Sequence, residues 1–153
     1  MISTPQIVIT EALPMAKIYA KIPTKSIQQE MGKLVGELMG AVQSQGVEIT
    51  GPWFTHHFQR PGEFFDFEVC VPVSSPVKKS GRMEPGAWPA MKVARTTYRG
   101  GYEGLPAAWG EFMAWTDAND LKLSSEIWER YTVNPNTETD PAKWETELNR
   151  PIL

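Results

Sequence analysis

A single carboxylate stands on an otherwise apolar strand face towards the C-terminal end of the chain, and its position suggests a chemical role. Residues 126–131, Glu-Ile-Trp-Glu-Arg-Tyr, alternate in the manner of a β-strand and are followed by an Asn-Pro turn. Because side chains alternate between the two faces of a strand, Ile127, Glu129 and Tyr131 share one face. A carboxylate between an isoleucine and a tyrosine is either paired inside the protein or available to an external cation.

Two interpretations of Glu129 follow from the residues alone. In the first, Glu129 forms a salt bridge with Arg95 or Arg130, or is simply exposed on an edge strand. In the second, it faces a ligand, because a desolvated carboxylate ringed by aromatic side chains is best compensated by a weakly hydrated, delocalised cation. Each ring then adds stacking and cation–π attraction of about 0.5–2 kcal/mol.

Aromatic and methionine side chains elsewhere are candidates for the wall of such a site. The sequence contains 6 Trp and 7 Met, and methionine adapts its shape to different ligands. Trp109, Phe112 and Trp115 recur at helical spacing and are therefore predicted to be core residues. The candidates for such a ligand site are Glu129, Tyr131, Trp88, Met91, Tyr98, Phe54, His56 and Phe58, with Glu68 as the candidate second acid.

The histidines and the cysteine are not predicted to form a metal site. His56 and His57 are adjacent, so on a strand they face opposite ways, and the only cysteine, Cys70, belongs to a different strand. The sequence lacks serine-nucleophile motifs, glycine-rich phosphate loops and dinucleotide fingerprints. It therefore predicts no metal and no cofactor, and it predicts that Cys70, inside an apolar run, is a buried thiol.

Composition and charge exclude several classes of protein. Apolar residues make up 41% and charged residues 22% of the 153 residues, as in ordinary globular domains. The net charge of −3 and the absence of a basic stripe argue against direct nucleic-acid binding. The chain has no apolar run of about 18 residues and no signal-type N-terminus, so we expect a cytoplasmic protein that does not enter a membrane.

The residue pattern predicts two helices among several strands. The first helix is capped by Thr24 or Ser26 and carries an apolar stripe that includes Leu34 and Leu38, whereas glycines at positions 32, 36 and 40 are expected to let it lie close to a sheet. A polar, solvated connection is predicted at residues 74–84. The other predicted elements are strands at 6–11, 15–22, 51–58, 64–73, 91–98, 126–132 and 144–148, and a second helix at 102–116.

The predicted order strand, helix, strand, strand occurs twice, over about residues 15–73 and 89–149. Neither unit could bury a helix and a small sheet well by itself, so the two are expected to join into one pseudo-symmetric antiparallel sheet. We predict a single α+β domain over residues 1–153, built from two such units, with two helices and a central ligand groove.

Several motifs resemble the GyrI-like effector-binding domain family, which is related to the ligand-binding halves of multidrug-responsive transcription regulators. Residues 128–131, Trp-Glu-Arg-Tyr, are similar to the Trp-Glu-x-Tyr strand of that family. Residues 98–105 are similar to its His-x-Gly-x-Tyr-x-x-Leu motif, with Tyr98 in place of the histidine. The other matching segments are Gly51-Pro52, the acidic strand ending in Pro-Val at 66–73, Asn134-Pro135 and Arg150-Pro151-Ile152.

The resemblance implies a groove between two repeats that binds bulky, flat, often cationic organic molecules. It assigns the pocket carboxylate to Glu129 and a neighbouring aromatic to Tyr131. Because Tyr98 replaces the histidine usual in the family, a role for that histidine does not transfer to this chain. Met1 lies almost at the first strand, so the resemblance implies an effector domain without a preceding DNA-binding helix-turn-helix.

Three functions are compatible with these features. The first is a sensor or sequestering protein for hydrophobic, cationic aromatic small molecules. The second is a hydrolase of strained, electrophilic natural-product rings in which Glu129 is the general base. The third is a gyrase-inhibitor-like module that binds a protein partner.

Overall fold

The computed structural model describes residues 2–153, which form eight β-strands and two α-helices. Short 3-10 turns occur at Thr24–Ser26, Tyr102–Gly104 and Pro141–Lys143. The helices are α1 (Ile27–Ser44) and α2 (Leu105–Ala118). The strands are β1 (Gln6–Ile9), β2 (Leu13–Pro23), β3 (Phe54–His57), β4 (Phe64–Pro72), β5 (Met83–Trp88), β6 (Lys92–Arg99), β7 (Ile127–Val133) and β8 (Glu145–Pro151).

All eight strands belong to one antiparallel sheet in the order β1-β6-β8-β7-β3-β4-β2-β5. The sheet is pseudo-symmetric. Strands β2, β3 and β4 of the first repeat correspond to β6, β7 and β8 of the second, and they lie in mirrored positions on either side of the sheet's centre. The repeats β2-α1-β3-β4 and β6-α2-β7-β8 meet at the central pair β3 and β7, where Thr55 lies opposite Glu129. The predicted α+β fold with one antiparallel sheet, two helices and duplicated units is therefore confirmed.

The outermost strands are exchanged between the two halves. Strand β1 precedes the first repeat but pairs with β6 of the second, and β5 precedes the second repeat but pairs with β2 of the first. The prediction that residues 74–84 form a solvated connection is wrong in two respects. Strand β5 begins at Met83, inside this segment, and the side chains of Val77 and Met83 are buried. Pro85 and Gly86 conceal this strand in the sequence, and a proline is tolerated there because β5 is an edge strand.

Both helices cover the same face of the sheet, here called the helix face. Register carries one row of side chains across that face, so that Val69, Thr55, Glu129 and Leu148 are successive neighbours on β4, β3, β7 and β8. Leu34, Leu38 and Val42 of α1 pack on one half of the row, and Trp109 and Phe112 of α2 pack on the other. The predicted apolar stripe of α1 is confirmed at its three buried positions.

The glycine stripe of α1 does not bring the helix close to the sheet. Gly32, Gly36 and Gly40 are exposed, and a Cβ atom added at any of them would have nothing within 4 Å. The expectation of close backbone packing is therefore wrong, because the buried face of α1 is the one that carries Leu34 and Leu38.

The opposite face, here called the helix-free face, has its own core. Met15, Phe54, Cys70, Trp88 and Trp128 form a buried cluster there. The predicted burial of the Cys70 thiol is confirmed, and burial raises the pKa of that thiol well above its usual value.

Candidate functional site

The carboxylate of Glu129 lies at the centre of the helix face, on the strand pair where the two repeats meet. Its backbone neighbours across the sheet are Thr55 on β3 and Leu148 on β8, and both are buried. The side chain of Glu129 is almost completely covered, with 7% of the residue exposed. An acid in this position requires compensation from its immediate surroundings.

Two neutral donors hold the carboxylate. The Trp109 indole donates from Nε1 to Oε2 at 2.6 Å, and the Tyr131 hydroxyl donates to Oε1 at 2.7 Å. The sequence-based alternative of a salt bridge with Arg95 or Arg130 is wrong, because both arginines pair with Glu147 on the helix-free face.

The protonation states around Glu129 follow from burial and from these contacts. Burial by itself raises the pKa of Glu129, but the His57 ring 3.7 Å away and the donors Trp109 and Tyr131 outweigh it, so the pKa lies below its usual value. Burial and the nearby Glu129 charge raise the pKa of Tyr131 well above normal and that of Tyr102 to about 12. At neutral pH the site therefore combines one anion with neutral phenols.

A group of four aromatic side chains, here called the aromatic cluster, lies beside this anion. Trp53 stacks on Tyr131 with ring centroids 4.1 Å apart, and Tyr102 approaches Tyr131 edge-on at 5.8 Å. Trp144 completes the cluster at 5.0 Å from Tyr102. The Tyr102 hydroxyl is buried and has no hydrogen-bond partner among residues 2–153, so it is a donor available to a ligand.

Sequence reasoning missed Trp53, Tyr102 and Trp144. Trp53 shares its face with Thr55, one residue before β3 begins, whereas Tyr102 and Trp144 stand in or next to 3-10 turns. The excess of tryptophan was the signal available for Trp53 and Trp144, and the motif at residues 98–105 was the signal for Tyr102. Turn residues follow no period that assigns them to a face of the sheet.

Tyr98, a predicted ligand residue, instead packs into the core beneath the start of α2. Its hydroxyl donates to the carbonyl oxygen of Gly101 at 2.8 Å, and its ring lies against Gly100 and Gly104. Gly100 has a φ of 140°, a conformation that other residues rarely adopt. Glycine is needed at positions 100 and 104 because a larger side chain there would collide with the Tyr98 ring.

Replacing Gly104 with alanine should destabilise the protein by about 1–3 kcal/mol, because the new Cβ would overlap the Tyr98 hydroxyl. Urea unfolding measures the loss. In the double variant with Tyr98→Phe the overlapping oxygen is gone, so the cost of Gly104→Ala should be smaller. A Gly104→Ala protein as stable as the wild type would contradict this packing.

The remaining predicted ligand residues lie on the helix-free face. Register places Phe54 opposite Cys70 and Arg130, and His56 opposite Glu68 and Trp128. The sheet therefore separates one group of predicted residues from Glu129 and Tyr131, and no small ligand can contact both groups at once. That group consists of Phe54, His56, Phe58, Glu68, Trp88 and Met91.

Two further features of residues 2–153 bear on the type of site. Within this range no group of His, Cys, Asp and Glu side chains is arranged to hold a metal ion. In the same part of the chain, neither helix is long and apolar enough to cross a membrane.

Comparison with protein families identifies the chain. Residues 3–153 match the model of the GyrI-like small molecule binding domain. The chain belongs to the GyrI-like family. Its Glu129 site lies where the two repeats of this GyrI-like domain meet, and the match extends over both repeats. A search of curated proteins found no match.

Solved structures share the fold of this GyrI-like domain. The crystal structure of the EcmrR C-terminal domain matches with a TM-score of 0.85 and 21% identity, over 98% of this chain and 97% of that domain. EcmrR in a cryo-EM complex with DNA matches with a TM-score of 0.87 and 22% identity over 97% of this chain, which spans 57% of that longer protein. SAV2435 bound to tetraphenylphosphonium matches with a TM-score of 0.63 and 11% identity, over 99% of this chain and 94% of that chain. At these identities the likeness concerns the fold.

Proposed function

We propose that this GyrI-like protein binds hydrophobic aromatic cations against Glu129, between α1 and α2, and acts as a sensor or sequestering protein for them. The observation that carries the proposal is a buried carboxylate that pairs with no lysine or arginine among residues 2–153. The ring of His57 is 3.7 Å away from it. A ligand cation supplies the missing charge.

The aromatic cluster provides the rest of the recognition. Trp53, Tyr102 and Trp144 are half-buried, so they offer ring faces next to the covered Glu129. Each ring in contact with a delocalised cation contributes about 0.5–2 kcal/mol. Because Trp109 covers the carboxylate, a ligand reaches Glu129 only when that indole shifts, and binding is therefore expected to open a groove beside it. That SAV2435, a structural neighbour, binds tetraphenylphosphonium supports the choice of ligand class.

The lowered pKa of Glu129 favours a counter-charge over a general base. An efficient base has a pKa near the working pH, whereas His57 and the two neutral donors hold that of Glu129 below its usual value. The hydrolase alternative stays a prediction, and analysis of ligand recovered after incubation tests it directly, because hydrolysis would convert an electrophilic ring into an opened product.

Titration with tetraphenylphosphonium, compared with neutral triphenylphosphine oxide, tests the proposal. The cation should bind more tightly than the neutral compound, and its affinity should be constant from neutral pH to about pH 5. Glu129 stays ionised over this interval because its pKa is lowered, and it becomes neutral only as the pH falls through that lowered value. The stability that its charge contributes is lost over the same acidic range.

Two outcomes would contradict the proposal. Equal affinity for the charged and the neutral compound would mean that the rings alone hold the ligand. A loss of affinity between neutral pH and about pH 5 would mean that the charge of Glu129 does not control binding, because Glu129 stays ionised over that interval.

A further inference from the structure

A second cavity lies on the helix-free face, separated from Glu129 by the sheet. It has a volume of about 420 Å³, within the range of small-molecule sites. Met15, Met91 and Trp128 supply apolar walls, and charged side chains from three strands and the segment before β7 form its polar side. This combination of flexible apolar walls with a few convergent polar groups is typical of a ligand site.

The polar side of the cavity is a chain of charges that joins the two repeats. Lys17 Nζ lies 2.8 Å from Glu68, the other oxygen of Glu68 lies 3.0 Å from His56 Nδ1, and His56 Nε2 lies 2.7 Å from Glu126. Each ring nitrogen of His56 thus lies within hydrogen-bond distance of a different carboxyl group. The His56 ring also stacks on Trp128, with centroids 3.8 Å apart and an angle of 8°.

The Glu126 end of this row of charged groups has a free acceptor, whereas the other end is the Lys17 ammonium, which pairs with Glu68. Glu68 is buried and fully engaged, and although burial alone raises its pKa, His56 and Lys17 hold that pKa below its usual value. The side chain of Glu126 is 41% exposed. Its second oxygen has just a long contact with Ser124, at 3.3 Å. The negative charge that is accessible in the cavity is therefore a carboxylate oxygen with room for a stronger donor.

We propose that this cavity is a second binding site, for a small organic amine with an aromatic or aliphatic body. The ammonium group donates to Glu126 and to the Ser124 hydroxyl, and the body lies against Trp128, Met15 and Met91. This chemistry differs from that at Glu129, whose oxygens already accept from Trp109 and Tyr131 and so favour a cation without N–H donors. The second site does not depend on the first, because it uses the other face of the sheet.

The larger depression beside α1, of about 480 Å³, lacks this free capacity. Its Arg82 forms a bidentate pair with Glu37, at 2.9 and 2.6 Å, and its Lys33 lies 3.6 Å from Glu30. Arg82 and Glu37 satisfy each other, and the Lys33–Glu30 pair is exposed to solvent, so the depression carries no comparable argument for a ligand.

Calorimetric titration of the whole protein with phenethylamine tests the proposal. The wild type should bind the amine, and Glu126→Gln should weaken binding by about tenfold or more, the effect of losing one charge-assisted hydrogen bond. Glu111→Gln, which removes the same charge from an exposed position on α2, should leave the affinity unchanged. Met91→Trp keeps the charge of Glu126 but fills the cavity, and it should weaken binding as well.

A competition experiment separates the two sites. Phenethylamine should bind equally well to protein saturated with tetraphenylphosphonium, and its binding should perturb the NMR signals of the Trp128 indole and the His56 ring. The proposal is overturned if the wild type does not bind phenethylamine, if Glu126→Gln binds as well as the wild type, or if the phosphonium displaces the amine. A circular dichroism spectrum unchanged in Glu126→Gln excludes unfolding as the cause of lost binding.

Discussion

Replacing Glu129 with glutamine should weaken tetraphenylphosphonium binding by about 30-fold or more. Removal of one partner of a buried charge pair costs about 2–5 kcal/mol, and 1.4 kcal/mol corresponds to a factor of ten. Glutamine has nearly the same shape and keeps one oxygen that can accept from Trp109 or Tyr131, so the variant removes mainly the charge. Fluorescence or calorimetric titration of the two proteins measures the difference.

The matched control for Glu129→Gln is Glu111→Gln on the exposed face of α2. Both variants change the net charge of the protein from −3 to −2, so any general electrostatic attraction for the cation is reduced equally. Only the loss at position 129 should affect binding strongly. Equal affinities in the wild type and Glu129→Gln would show that stacking alone holds the cation, and the proposed role of Glu129 would then be abandoned.

Replacing Phe112 with alanine should lower the free energy of unfolding by about 3–5 kcal/mol. Phe112 is fully buried, with 0% exposed, and it packs against Trp109 at a centroid distance of 5.7 Å. Its removal leaves a cavity between α2 and the sheet beneath the indole that donates to Glu129. Urea unfolding followed by circular dichroism gives the free energy.

Phe64→Ala provides the comparison for Phe112→Ala, because it removes the same atoms from a position that is 44% exposed. The Phe64 ring is half in solvent and lies 5.2 Å from the Lys21 ammonium, so the cost of Phe64→Ala should stay below about 1 kcal/mol. Similar losses for the two variants would mean that α2 does not share a tightly packed core with β6, β7 and β8.

The sequence predicted the elements whose period is unambiguous. In α1 the spacing of Leu34, Leu38 and Val42 identified the buried face, because a helix exposes one stripe to the sheet and the other to solvent. In β7 the alternation of residues correctly placed Glu129 and Tyr131 together, since a strand has just two faces.

The sequence did not predict how the predicted ligand residues are divided between the faces of the sheet. All four residues of β3 are buried, so burial offers no contrast between its helix face and its helix-free face. Register with β7 decides the matter, because it sets His57 with Ile127 on one face and His56 with Trp128 on the other. One predicted site therefore became two regions on opposite sides of the sheet.

The sequence by itself determined the family resemblance, the α+β class and the presence of a carboxylate on an apolar strand face, because these depend on local pattern. Tertiary structure alone decided what surrounds that carboxylate. Trp109 comes from a helix 20 residues away in sequence, and Trp53 reaches Tyr131 from the other repeat. Tertiary structure also decided that β1 pairs with the second repeat and β5 with the first. Such contacts depend on the pairing of distant strands, which no short-range period encodes.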